Sequence, residues 1–307
     1  MPTIHRIRSR AWSSPDDLAA MTAAVSRAWL GGRRPLVSPT VGDLEWWTAL
    51  GGPDADWSKR VRIWEDDDAV VGWGWFNPPG SAEWFVADGL RASDAAQIRD
   101  RILDWAVETA SAEEPRPALI EVWGGDGWPD GEALLERGWT AGPTELTQYG
   151  QPLDVDLDPL RVPDGYRLRS MTGPLDIPAR VAVHRAAFAP SKLTVEKYEL
   201  VIRQPHYAFD RDIVIEAPDG TFAAFAICWA DPLASVGEFE PVGVHPDHQR
   251  RGLGRVVMRA GLRRLRELGL RDAVVFSLRA NAASEALYRS AGFRELARHR
   301  LYTKALG

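Results

Sequence analysis

The chain has 307 residues, 45% of them hydrophobic and 26% charged, with a formal net charge of −6. That length admits one large domain or two of ordinary size, and the composition is that of a soluble globular protein. No apolar run approaches the roughly 18 residues of a membrane span. The negative balance argues against nucleic acid as the main partner.

A single cysteine, Cys228, excludes an intramolecular disulfide and any cysteine-cluster zinc site. The opening MPTIHRIRSRAW lacks the apolar core of a signal peptide, so a cytoplasmic protein is expected. Four lysines stand against thirty-three arginines, a bias that points to a GC-rich bacterial genome.

A short strand is expected from Ile4 to Arg10. Ser14-Pro15-Asp16-Asp17 then starts a helix that runs to about Leu30 and stops at Gly31-Gly32. A second helix covers Val41 to Leu50. Arg60–Glu65 and Val70–Asn77 read as antiparallel strands joined by Asp66-Asp67-Asp68, and Glu83–Ala87 as a third strand. Asp94 to about Ala112 has Ile98, Ile102, Trp105 and Ala106 at helical spacing. A strand at Leu119–Val122, a helix at Asp130–Arg137 and an extended end at Trp139–Tyr149 complete the half. Thirteen of the fourteen tryptophans lie here. They either pack a core or, at Trp73, Trp75 and Trp84 on the strands, line a cleft where an apolar or sugar-like ligand could stack.

Gln151–Pro163, with its prolines and aspartates and no helical period, reads as a connector between units 1–150 and 164–307. After it the same order of elements returns. Tyr166–Met171 is a strand, and Leu175–Phe188 and Ser191–Gln204 are helices, the second capped by Thr194. Asp212–Ala217 and Thr221–Ala230 form a hairpin, and Ser235–Val244 is a strand. A helix is expected at Gln249–Leu268, a strand at Ala273–Leu278, a helix at Ala282–Ala291 and a strand at Phe293–Thr303. Glu285-Ala286-Leu287-Tyr288 before Gly292-Phe293 echoes Glu132-Ala133-Leu134-Leu135 before Gly138-Trp139. Order and echo together argue for two copies of one fold.

The copies differ at residues 236–258, VGEFEPVGVHPDHQRRGLGRVVM, which have no counterpart in the first half. Here a strand feeds a turn and a glycine-punctuated helix start, Gln249-Arg250-Arg251-Gly252-Leu253-Gly254-Arg255. Free N–H groups, the helix dipole and the arginines make such a start an anion site, and glycines let the backbone approach a phosphate. Glu238 and Glu240 lie two apart on the strand and so share a face, costly on an apolar strand unless they meet a cleft. Asn281 is a helix N-cap candidate, Ser284 follows in the first turn, Tyr288 sits two turns in, and Gly292 stops the helix.

The run Gln249-x-x-Gly252-x-Gly254 resembles the acyl-CoA signature of the GCN5-related N-acetyltransferase (GNAT) family. Asn281 to Phe293 resembles the family's second segment, with Ser284 where alanine is common. The resemblance covers about residues 164–304 and implies α/β (α+β) architecture: two tandem GNAT-like domains, each a mostly antiparallel sheet flanked by helices, the first without an acyl-CoA site. It implies acetyl-CoA as co-substrate, with pyrophosphate on the amides of Arg250–Arg255 and the pantetheine arm along Val242, Gly243 and Val244. It also implies acetyl transfer to the primary amine of a small molecule by direct attack. Glu240 or Glu238 would be the base and Tyr288 the acid at the leaving thiolate.

Glu240 is preferred because it stands nearer the region where the strands part, but the pattern does not choose between the two. A non-catalytic acyl-CoA sensor or scaffold, another acyl group, or a hydroxyl acceptor remain alternatives. No metal is expected, because His245 and His248 read as turn residues beside the phosphates. Cys228 reads as a core residue. A monomer or homodimer is expected, with no nucleic acid or membrane partner.

Overall fold

The computed structural model describes residues 7–30, 39–125, 129–157 and 159–307. The start of the expected first strand at Ile4 and the helix stop at Gly31-Gly32 fall outside them. In the first half β1 (Arg8–Ala11) precedes α1 (Asp16–Leu30), α2 (Val41–Gly51) and a one-turn α3 (Trp57–Arg60). β2 (Val61–Asp66), β3 (Ala69–Asn77) and β4 (Ser81–Val86) form a meander, and α4 (Ala92–Ser111), β5 (Leu119–Gly125), α5 (Pro129–Glu136) and β6 (Thr140–Pro152) follow. The second half repeats this order. It has β7 (Arg167–Ser170), α6 (Ile177–Ala187), α7 (Val195–Val201), β8 (Asp212–Glu216), β9 (Phe222–Asp231), β10 (Val236–Val244), α8 (Leu253–Glu267), β11 (Asp272–Leu278), α9 (Ala282–Ser290) and β12 (Arg294–Ala305). No described helix is long and apolar enough to cross a membrane.

All twelve strands form one sheet in the order β1-β2-β3-β4-β5-β12-β6-β11-β10-β9-β8-β7. The pairing is antiparallel except at β4–β5 and β10–β11. The halves exchange their last strands. β12 pairs along β5, Leu119–Gly125 against His299–Ala305, and β6 pairs with β11, Thr147 opposite Ser277. β6 and β12 also pair with each other at the centre. β6 therefore extends to Pro152, two residues into the stretch read as a connector.

Helices cover both faces. α8 buries Val257, Leu262 and Leu265 against β9, β10 and β11. α2 belongs to two cores at once: Val41 and Leu44 join the first half's Trp73 and Trp75, while Trp46 and Ala49 join Tyr198, Phe225 and Trp229 of the second. Trp73 stacks on Phe85 and Trp75 packs against Trp47 and Trp57, so these tryptophans are core. Each buried aromatic of this size contributes up to about 3 kcal/mol. Glu45 of α2 accepts from the backbone N–H of His206 at 3.0 Å and lies 2.6 Å from that ring's Nδ1, fastening the halves.

Two helix starts of the second half differ from the sequence reading by four residues each. α7 is shorter than Ser191–Gln204, because Thr194 is extended and caps the helix by accepting from the Lys197 N–H. α8 begins at Leu253 rather than Gln249, because Arg250 and Gly252 adopt left-handed φ of 59° and 80°, which no right-handed helix contains.

Candidate active site

β10 pairs with β9 from Val236 to Val244, with a bulge between Phe239 and Val242, but with β11 only from Val236 to Glu238. From Phe239 onward its edge toward β11 has no strand neighbour among the described residues, which leaves the backbone beside Val242, Gly243 and Val244 without ladder partners on that side. Beyond β10, His245 starts a 3-10 turn and accepts from the Asp247 N–H at 3.2 Å, and His248 Nδ1 lies 2.9 Å from the Tyr166 hydroxyl.

The loop before α8 then turns left-handed at Arg250 and Gly252. Successive N–H groups in such a run form an anion-binding concavity. A non-glycine residue at positive φ costs about 1–2 kcal/mol, a strain that clusters at functional sites.

Beside this loop lies a hollow of about 260 Å³ lined by Arg161, Arg251, Arg255 and Arg259, with Leu160, Val162, Pro163, Gly252 and Val256. Arg161 comes from the connector, and Arg259 from the second turn of α8. Arg250 and Gln249 are exposed and do not line the hollow. Leu253 and Gly254 are buried in the first turn, where Gly254 faces the Leu287 side chain of α9. Asn281 caps α9 by accepting from the Ser284 N–H at 3.1 Å.

The two glutamates of β10 separate. Glu238 is 2% exposed, accepts from the Thr40 hydroxyl ahead of α2, and has no hydrogen-bond partner for its second oxygen among the described residues. An added Cβ on Gly42 would collide with that carboxylate, so α2 meets β10 here at full contact. Glu240 is half-buried and, with Pro241, forms the floor of a cavity of about 420 Å³. The walls are Trp46 and Leu50 of α2, His184 of α6, Phe188 beyond it, Ser191, Lys192 and Leu193 of the following connection, and Lys197 of α7.

Asp43 ties the carboxylates together electrostatically. Burial, then the nearby Asp43 charge, pushes Glu240 to about 8 and does the same to Glu83 of β4. Burial and then Asp43 raise Glu238 as well, opposed by Thr40. Burial lifts Asp43 itself to about 6 against two Thr40 hydrogen bonds. Among the described residues none of the four is in an ion pair, so no cation opposes the burial that favours their protonated forms.

Tyr288 is 6% exposed, and burial followed by the Glu240 charge holds its hydroxyl protonated well past neutral pH, against a Ser284 hydrogen bond. It packs edge-on to Tyr149 of β6, ring centroids 5.7 Å apart. Cys228 lies buried in β9, its thiol pushed up chiefly by burial. Sequence reasoning missed Thr40, Asp43, Trp46, Glu83 and Tyr149, all from the first half. The Thr40-x-x-Asp43 capping box was the one available signal.

Residues 183–293 match the family described as Acetyltransferase (GNAT) family. A mycothiol acetyltransferase of Nocardia farcinica is 32% identical over 266 residues, covering 80% of this chain and 82% of that one. Two solved structures share the fold: a GCN5-related N-acetyltransferase from Sphaerobacter thermophilus and a tandem GNAT protein from the clavulanic acid biosynthesis pathway. The first has a TM-score of 0.67 at 16% identity over 98% of this chain and 96% of that one. The second has 0.65 at 14% over 98% and 99%. The chain belongs to the acetyltransferase (GNAT) family and is an acyltransferase, with a fold like that of the tandem GNAT protein.

Proposed function

We propose that the protein transfers an acetyl group from acetyl-CoA to the primary amine of a small molecule. Residues 164–307 would carry the acyl-CoA site and residues 1–150 none. The observation that carries this reading is that β10, where it parts from β11, leads from Glu240 and its cavity to the left-handed loop and arginine-lined hollow at the start of α8, with Tyr288 near enough to feel the Glu240 charge. Arg161, Arg251, Arg255 and Arg259 with the loop amides suit phosphates, and the unpaired β10 edge suits an extended amide chain. When bound there, acetyl-CoA supplies an activated acyl carbonyl.

Glu240, rather than Glu238, acts as the base, directly or through water. Only Glu240 lines a cavity that admits an amine, while Glu238 is sealed under Thr40. A carboxylate that titrates near 8 takes the amine's proton near the pH where it works. Backbone N–H groups near Val242 polarise the carbonyl oxygen. Tyr288, protonated throughout the working range, donates its proton to the departing thiolate.

Calorimetry with acetyl-CoA tests the site. Wild type should bind, and a Gly252→Asp variant, which places a carboxylate on the lining of the arginine hollow with no atom in its way, should bind at least tenfold more weakly. Equal binding would overturn the assignment. Thiol release over a panel of small amines tests the reaction, and release no faster than hydrolysis with any amine would refute it.

A further inference from the structure

We propose that the acceptor amine carries an anionic group, held by Lys192 and Lys197 while its amine faces Glu240. This deepens the reading of the Glu240 cavity as the acceptor site and rests on it. Only four of the 37 cationic residues are lysines, and two of those four stand on this one cavity. The other two are engaged elsewhere: Lys59 pairs with Asp56 at 3.3 Å, and Lys304 donates to the Arg137 carbonyl at 2.9 Å. Among the described residues neither Lys192 nor Lys197 is in an ion pair. The connection before α7 and its first turn thus place two lysines outside any ion pair on the lining of a space walled by Trp46, Leu50 and Phe188.

Among the described residues that line the cavity, no fixed anion offsets those charges. His184, beside the Ser191 hydroxyl at 3.1 Å, is held neutral by burial and then by Arg180, down to about 3. Glu240 is largely protonated at neutral pH. A purely cationic amine would enter against two like charges. An acceptor with an anion at its far end is drawn in and turned, its apolar body lying along the tryptophan and phenylalanine. A volume of about 420 Å³ suits a ring-sized body between the two ends. The phosphates of a co-substrate do not account for these lysines, since the arginine-lined hollow shares none of the cavity's residues. Each partly exposed ion pair is worth roughly a factor of two to five, so the two together give about tenfold selectivity.

The test uses the full chain saturated with coenzyme A, titrated calorimetrically with 4-(aminomethyl)benzoate, its carboxamide and benzylamine. The carboxylate should bind about tenfold tighter than the carboxamide. In the Lys192→Ala, Lys197→Ala double variant the preference should fall below about twofold. Equal affinities, no carboxylate binding at millimolar concentration, or a preference that survives the double substitution would each overturn the proposal.

Turnover with acetyl-CoA, run on the same compounds, separates the two ideas. Acetylation of neutral amines as fast as of the acid sinks the anion proposal and leaves acetyl transfer standing. A lysine-dependent carboxylate preference in binding, with no transfer to any amine, sinks the reaction and leaves the anion site standing.

Discussion

Asp43 lies on the half without the acyl-CoA pattern, yet it bears on the base. In Glu240 burial is the larger cause of the rise from the ordinary 4.5 to about 8, and Asp43 is the second. Asp43 therefore accounts for less than half of that rise, under about 1.7 pH units. Asp43→Asn removes the charge while its remaining side-chain oxygen can still accept from the Thr40 N–H, a bond of 2.9 Å in the capping box. The acidic limb of kcat/KM should move down from about 8 to no lower than about 6.

The assay is thiol release from acetyl-CoA between pH 5.5 and 9.5 with one acceptor, compared with wild type at each pH. The amine's own ionisation is common to both proteins and cancels in the ratio. Below pH 7 the variant gains base in the ionised form but loses some basicity, so its advantage should be about two- to tenfold. Above pH 9 the ratio should fall to one or just below. A ratio that does not change with pH, or a limb that moves upward, refutes both the coupling through Asp43 and the choice of Glu240 as the titrating base.

Tyr288→Phe should lower turnover about a hundredfold while acetyl-CoA dissociation stays within about threefold; equal losses in both would make Tyr288 a packing residue. Glu238→Gln should stabilise the fold more as pH rises. Glu238 titrates well above its ordinary value, so its contribution to stability is present at low pH and drains away as pH climbs from about 4.5 toward that raised value. The melting temperature of the variant relative to wild type should therefore be higher by a few degrees at pH 9 than at pH 5. A difference independent of pH would mean that Glu238 is ionised and stabilised in the fold.

What could be read from the chain beforehand followed the range of the interactions. The helix start at Gly252 and the capped start of α9 at Asn281 are local, and a few consecutive residues announce them. Arg161 joins the phosphate hollow from a stretch that looks like a spacer, and no pattern in Gln151–Pro163 marks it. Glu238 and Glu240 are alike as a strand pair, but a bulge between Phe239 and Val242 sends one under Thr40 and the other into the cavity. That choice is made by α2, nearly two hundred residues earlier. The strand exchange is equally invisible, since nothing local in β6 or β12 names the strand it will pair with.

That exchange explains how a copy without an acyl-CoA pattern serves the site. Cut at the connector, residues 164–307 would leave β11 without β6 along its whole length, and residues 1–150 would leave β5 without β12. Bare central edges of this kind invite mispairing, so neither half closes its own sheet. β6 brings Tyr149 against Tyr288 and sets Gln151 where a Cβ on Gly292 would meet it at 2.8 Å. α2 and the residues before it bring Thr40, Asp43 and Trp46 to β10, and β4 brings Glu83 into the field of Asp43. On the proposed reading, the first half is a wall of the reaction chamber and a source of its electrostatics, acting through α2, β4 and β6 rather than through a phosphate loop.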